Sequence, residues 1–258
     1  MSDKTSKPPQ PINGLGFCYV IILKVKLKII VKVREENMDK NLQGIQYLQQ
    51  GKIEEALRLF TEVIEEHPEE PTAYINFGNV LSSVGEIERA IKFYEKAIEV
   101  DENAAAAYYA LGTVHYNENH LEEACKAFEQ AIRKGLEESD AYFMLGMCFL
   151  QLDQHTLALP YLLRAVELNE DDIEARFQLG LALAKSEAYD EAIRQLEEVV
   201  SRDDQHADAY YNLGIAYAGH LEDAEKALSM FNKALEIQPD HMLAGYGKKM
   251  LEKALGEE

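Results

Sequence analysis

The chain has 258 residues, 47% of them apolar and 28% charged, with 46 acidic against 26 basic residues and a formal net charge of −20. Residues 1–36 hold seven Lys or Arg against three acids, leaving 19 against 43 in the remainder, so the body of the chain repels nucleic acid and anionic membrane and favours basic partners. Three cysteines, Cys18, Cys125 and Cys148, share no disulfide or metal spacing, which excludes a disulfide framework and fits a reducing cytoplasm.

In chain order, the first feature is FCYVIIL (Phe17 to Leu23) followed by KVKLKIIVKV (Lys24 to Val33). The apolar run is too short and the lysines recur too often for a membrane span. Positive charge follows the apolar region instead of preceding it, so the stretch is also a poor secretory signal. The alternation of Lys24, Lys26 and Lys28 suits an exposed strand, and residues 15–34 also suit a basic surface anchor or a segment that folds back to occlude a binding groove. A further reading needs no function here: Arg34, Glu35, Glu36 and Asn37 can be encoded by a purine run that resembles a ribosome-binding site just ahead of Met38. The expectation is that residues 1–36 lie outside the fold and that the native protein starts at Met38 or just after it.

From there a period takes over. Gly44, Gly78, Gly112, Gly146, Gly180 and Gly214 stand 34 residues apart. A second lattice comprises Ala56, Ala90, Ala124, Ala158 and Ala192, with Ala227 one residue late; a third comprises Val63, Ala97, Ala131, Ala165, Val199 and Ala234. Small residues at these places let two helices approach closely while larger ones fill the remaining space. Each copy predicts one helix with apolar residues at spacings of three and four, a break at Gly51, Gly85, Asn119, Asp153, Glu187 or Gly219, and a second amphipathic helix such as LEEACKAFEQAIRK. Pro160 falls within a second helix and is expected to release one backbone bond or bend the axis. After the last copy, MLAGYGKKMLEKAL (Met242 to Leu255) predicts one more helix, with Met242, Tyr246, Met250 and Ala254 available to cover the sixth repeat.

The second copy, with Tyr74, Phe77, Gly78, Ala90, Tyr94 and Ala97, resembles the tetratricopeptide repeat (TPR) family, and all six copies keep that register over 37–70, 71–104, 105–138, 139–172, 173–206 and 207–241. LALPYLLRAVELNEDDIEARFQ and ALEIQPDHMLA are similar to the stand-alone bacterial type within that family. The resemblance implies an all-α, αα-superhelical solenoid of six helix-turn-helix repeats with a capping helix over 242–258. It also implies a non-catalytic, cytoplasmic adaptor that holds a partner peptide or helix against its first helices. Motifs for catalysis, phosphate binding or metal are missing from the sequence, so no cofactor and no metal site are expected.

Carried over position by position, the groove comprises Asn76, Asn79, Tyr109, Tyr116, Phe143, Met144, Met147, Phe177, Gln178, Leu181, Tyr211 and Asn212, with Asp140, Glu174 and Asp208 on its rim. Tyr109, Phe143, Phe177 and Tyr211 would offer stacking faces, the methionines adaptable apolar contact, and the amides hydrogen bonds to a peptide backbone. None of these positions is Lys or Arg, so the carboxylate clamp of the chaperone-tail receptors is missing. The expected partner is a protein or peptide that is apolar and flanked by Lys or Arg, with no direct nucleic-acid or membrane contact.

Overall fold

A computed structural model describes residues 39–256. Residues 1–38 lie outside it, and with them the strand, anchor, self-occlusion and Met38-start expectations. Among the described residues there are thirteen helices and no strand, as an all-α TPR solenoid requires.

The chain divides at Pro68 into two compact units. In the first, α1 (Lys40–Gln49) and α2 (Ile53–Glu66) form one hairpin. The Asp39 carboxylate accepts the Asn41 backbone N–H at 2.8 Å and so caps the start of α1. Gly51, at φ +74°, makes the left-handed turn between the helices. Lys40, standing where four of the later copies have tyrosine, reaches Glu66 at 2.7 Å and Glu62 at 3.2 Å.

The second unit, from Glu69 onward, holds five repeats and a final helix. Their first and second helices are α3 (Pro71–Ser83) and α4 (Ile87–Val100), α5 (Ala105–Asn117) and α6 (Leu121–Arg133), α7 (Ser139–Gln151) and α8 (His155–Leu168), α9 (Ile173–Lys185) and α10 (Tyr189–Arg202), and α11 (Ala207–Gly219) and α12 (Ala224–Ile237). The array closes with α13 (Met242–Leu255). Every helix packs on its successor, and α3 on α5, α5 on α7 and α11 on α13 also touch directly. A first helix is therefore flanked on several sides and is apolar nearly all round, whereas a second helix keeps a charged outer face.

The glycine lattice has a steric cause. In every repeat the glycine faces the largest buried side chain of its own second helix: Phe60, Tyr94, Phe128, Leu162, Leu196 and Phe231. A Cβ on Gly146 would lie 2.7 Å from Leu162, and one on Gly78 2.6 Å from Tyr94, so these sites exclude even alanine without movement. The partner residue follows the glycine by 16 positions except in the sixth repeat, where Phe231 follows Gly214 by 17. The extra residue lies in the turn. Asn119, Asp153 and Glu187 take φ near +60° at the expected breaks, but the sixth left-handed residue is Glu222, three places beyond Gly219. Pro160 is accommodated within α8, which runs on to Leu168.

The final helix packs differently from the expectation. It meets the sixth repeat through Ala244, Gly247 and Leu251; a Cβ on Gly247 would sit 2.9 Å from the Phe231 ring. Met242, Tyr246 and Met250, expected to cover that repeat, are instead 86%, 66% and 50% exposed, and Ala254 is exposed as well. Small residues win the contact because they let α13 lie closer to Phe231, and the large ones are turned outward.

Candidate functional site

The first helices place their second, fifth, sixth and ninth residues along one face of the second unit, because helical geometry puts residues three and four apart on the same side. Three cavities open there. One, between α3 and α5, is lined by Ile75, Asn79, Ala106, Tyr109, Ala110 and Thr113 among others. A second, beside α9 and α11, is lined by Ala184, Asn212, Ile215, Ala216 and Tyr189. The third, of about 560 Å³, is formed by Tyr211, Ile215, Ala218, Phe231, Leu243, Tyr246, Gly247, Met250, Leu251 and Ala254. No Lys or Arg lines any of them. A fourth cavity, on α12, is bordered by Glu225, Lys233 and Glu236 and is polar by comparison.

Individual side chains divide into those with free surface and those already engaged. Tyr109 is half-buried against Phe128, with ring centroids 5.5 Å apart, and burial together with the nearby Asp140 charge raises its phenol pKa. Asn79 is exposed and accepts the Tyr94 hydroxyl at 2.9 Å through Oδ1, which leaves its NH₂ group facing outward. Asn76, Phe143, Met144, Met147 and Leu181 are half-buried. Phe143 packs on the α8 and α9 core, Met144 joins the cluster around Cys125 and Cys148, and Leu181 joins the core around Leu213 and Phe231. Tyr116 is half-buried, and its hydroxyl accepts from the Gln151 amide. Cys148 is fully buried, as its lattice position implies.

Several assignments change once neighbours are visible. Phe177 is only 8% exposed, because the His206 ring lies across it at 4.5 Å; it belongs to the core and offers no stacking face. Gln178 donates to Glu174 at 2.8 Å, and Asn212 donates to the Asp208 carbonyl at 2.7 Å, so each amide is partly occupied along its own helix. Tyr211 is half-buried between Phe231 and His241. Asp140 and Glu174 are exposed. Asp208 is also exposed, but its Oδ1 accepts from His241 Nε2 at 3.0 Å, while His241 Nδ1 accepts the Ala244 backbone N–H at 3.1 Å. That pairing fixes the tautomer with the proton on Nε2 and ties the rim acid to the start of α13.

The sequence reading missed Leu243, Tyr246 and Met250. Counting Met242 as the first residue of a seventh copy, they occupy the second, fifth and ninth positions, the same places as Asp208, Tyr211 and Ile215. The sequence reading starts this helix at Met242 but takes it as a cap, so these positions are not counted as those of a first helix.

A run of packed helical hairpins with this spacing defines a helical-repeat protein. Tetratricopeptide repeat models match residues 47–111, 109–173 and 177–241. Among solved structures, YrrB, a TPR protein with an unusual peptide-binding site, is 53% identical at a TM-score of 0.71, over 74% of this chain and 97% of YrrB. MamA is 27% identical at a TM-score of 0.61, over 66% of this chain and 92% of its own. PilF of Pseudomonas aeruginosa, 23% identical at a TM-score of 0.67, shares the fold over 82% of this chain and 96% of its own. Comparison with curated proteins found no match. The chain belongs to the tetratricopeptide repeat family, whose repeats serve as protein–protein interaction scaffolds.

Proposed function

We propose that this protein is a non-catalytic cytoplasmic scaffold that holds an apolar partner peptide or helix, flanked by Lys or Arg, against the first helices of residues 71–255. The observation that carries this reading is the absence of Lys and Arg from the lining of the three cavities, with Asp140 and Glu174 exposed at the starts of α7 and α9. Such a surface desolvates apolar side chains without burying an unpaired charge, and it attracts cations at its edge. The adaptable part is Phe143, Met144 and Met147; the exposed amide of Asn79 is a donor for a peptide carbonyl. The peptide-binding site of YrrB, a protein 53% identical, agrees with this class of ligand.

The test is selection of peptides from a random library on the full chain, followed by affinity measurement. Enriched peptides are expected to be apolar with flanking Lys or Arg, and the double substitution Phe143→Ala, Met147→Ala should weaken them about tenfold or more, the scale of losing a buried anchor. Glu99→Ala and Glu167→Ala remove only the exposed ion pairs to Lys96 and Arg164 and should leave affinity unchanged. Binding that survives the double substitution and fails with changes on the second helices would place the working surface there.

A further inference from the structure

We infer that the cavity closed by α13 is the principal anchor site of the groove. Its occupant is an apolar partner segment that is basic toward the fourth and fifth repeats and acidic beyond its apolar stretch. The inference rests on the groove reading and adds where the ligand is held and in which sense its charges run.

Three observations converge on α13. First, the cavity of about 560 Å³ between α11, α12 and α13 is lined by ten residues, none of them charged. Second, the lining includes large apolar groups left exposed: Ile215 on α11 and Leu243, Tyr246 and Met250 on α13 are 47%, 59%, 66% and 50% exposed. Large apolar side chains left exposed together around one cavity form a patch of the kind that takes a partner. Third, charge changes sign along the groove. Asp140 and Glu174 stand exposed on α7 and α9, whereas α13 carries Lys248, Lys249 and Lys253 against Glu252 alone. Glu252 is paired with Lys248 at 3.7 Å. Lys249 and Lys253 are exposed, and each stands three residues after a cavity-lining residue, Tyr246 and Met250, which places them beside that face.

A segment docking along this face meets acids over the fourth and fifth repeats and ammonium groups at the far end. Basic residues at both ends would place like charges together at α13; an acid there pairs with Lys249 or Lys253. The bulky apolar side chains between the charged ends fill the cavity, with Tyr246 and Met250 as its adaptable walls.

The test uses the full chain and two synthetic fluorescent peptides, Lys-Arg-Ser-Leu-Phe-Leu-Leu-Ser-Glu-Glu and the same core with Lys-Arg at both ends. The first should bind more tightly, and Lys249→Glu, Lys253→Glu should exchange the preference. Tyr246→Ala, Met250→Ala alters exposed side chains only, so helicity by circular dichroism should be retained while affinity for the first peptide falls about tenfold or more. Binding that ignores this pair yet falls with Phe143→Ala, Met147→Ala overturns the anchor and leaves the groove reading standing. Binding lost only with second-helix substitutions overturns both. Failure of the first peptide to bind, an unchanged preference after charge reversal, or a concentration-dependent dimer abolished by Tyr246→Glu would each overturn the inference, the last by seating a second copy on this face.

Discussion

Phe177 and Phe143 hold the same place in successive repeats and have different tasks. Phe177 lies under the His206 ring and is nearly buried, so Phe177→Ala removes core volume; it should cost about 3–5 kcal/mol of stability, measured by urea unfolding, and any loss of binding should follow from that. The family resemblance gives both residues as groove candidates, because position within the repeat is visible in sequence and the side chain arriving from the next N-terminal cap is not. Asp208 teaches the same lesson. Its reversal to Lys deprives His241 of its acceptor and weakens the cap on Ala244, so it should lower the helix content of α13 by hydrogen exchange, whereas reversal of Asp140 should change only the salt dependence of association. Tyr94, 2% exposed with its hydroxyl donating to Asn79, has its phenol pKa pushed up to about 12 by burial. The ordinary phenol value is 10.0, so between that pH and about 12 the unfolded chain releases a proton that the folded chain retains. Stability should be unaffected below pH ~10 and should fall above it, and Tyr94→Phe should make that alkaline decline shallower.

At the scale of the element, the hairpins and the span of the final helix were legible and the face by which that helix packs was not. The 34-residue spacing, the glycines opposite large second-helix residues and the first five turn positions are written in residue identity, because packing of a first on a second helix leaves room for no Cβ at the glycine. The contact made by α13 depends on which of two faces wins. Hydrophobicity alone favours Met242, Tyr246 and Met250, yet Ala244 and Gly247 allow the closer approach to Phe231. Gly247→Leu should therefore push α13 off the sixth repeat and increase its exchange rate, while Met242→Ser, at a residue 86% exposed, should leave stability within about 0.5 kcal/mol. The break residues make a second contrast. Glu187 holds φ +63° without being glycine, so Glu187→Gly should relieve strain and raise stability by up to about 1 kcal/mol in thermal unfolding.

At the scale of the whole molecule, the chain combines a net charge of −20 with cavities that carry no cations of their own. Association with a basic-flanked peptide should accordingly slow as salt rises, with dissociation changing much less, in stopped-flow measurements from about 0.05 to 0.5 M salt. Repeats that touch only their neighbours are also energetically semi-independent. Gly146→Leu, which drives a side chain into Leu162, should broaden or split the melting transition where a core substitution in a single-core protein would shift it whole. The exposed face of α13 bears on how such an array grows. Met242 begins a copy whose fifth and ninth places are already filled in the manner of its predecessors, so a further helix laid after Leu255 would meet a surface that fits it. The length of the groove is thus a quantity that duplication can lengthen one unit at a time, without rebuilding what came before.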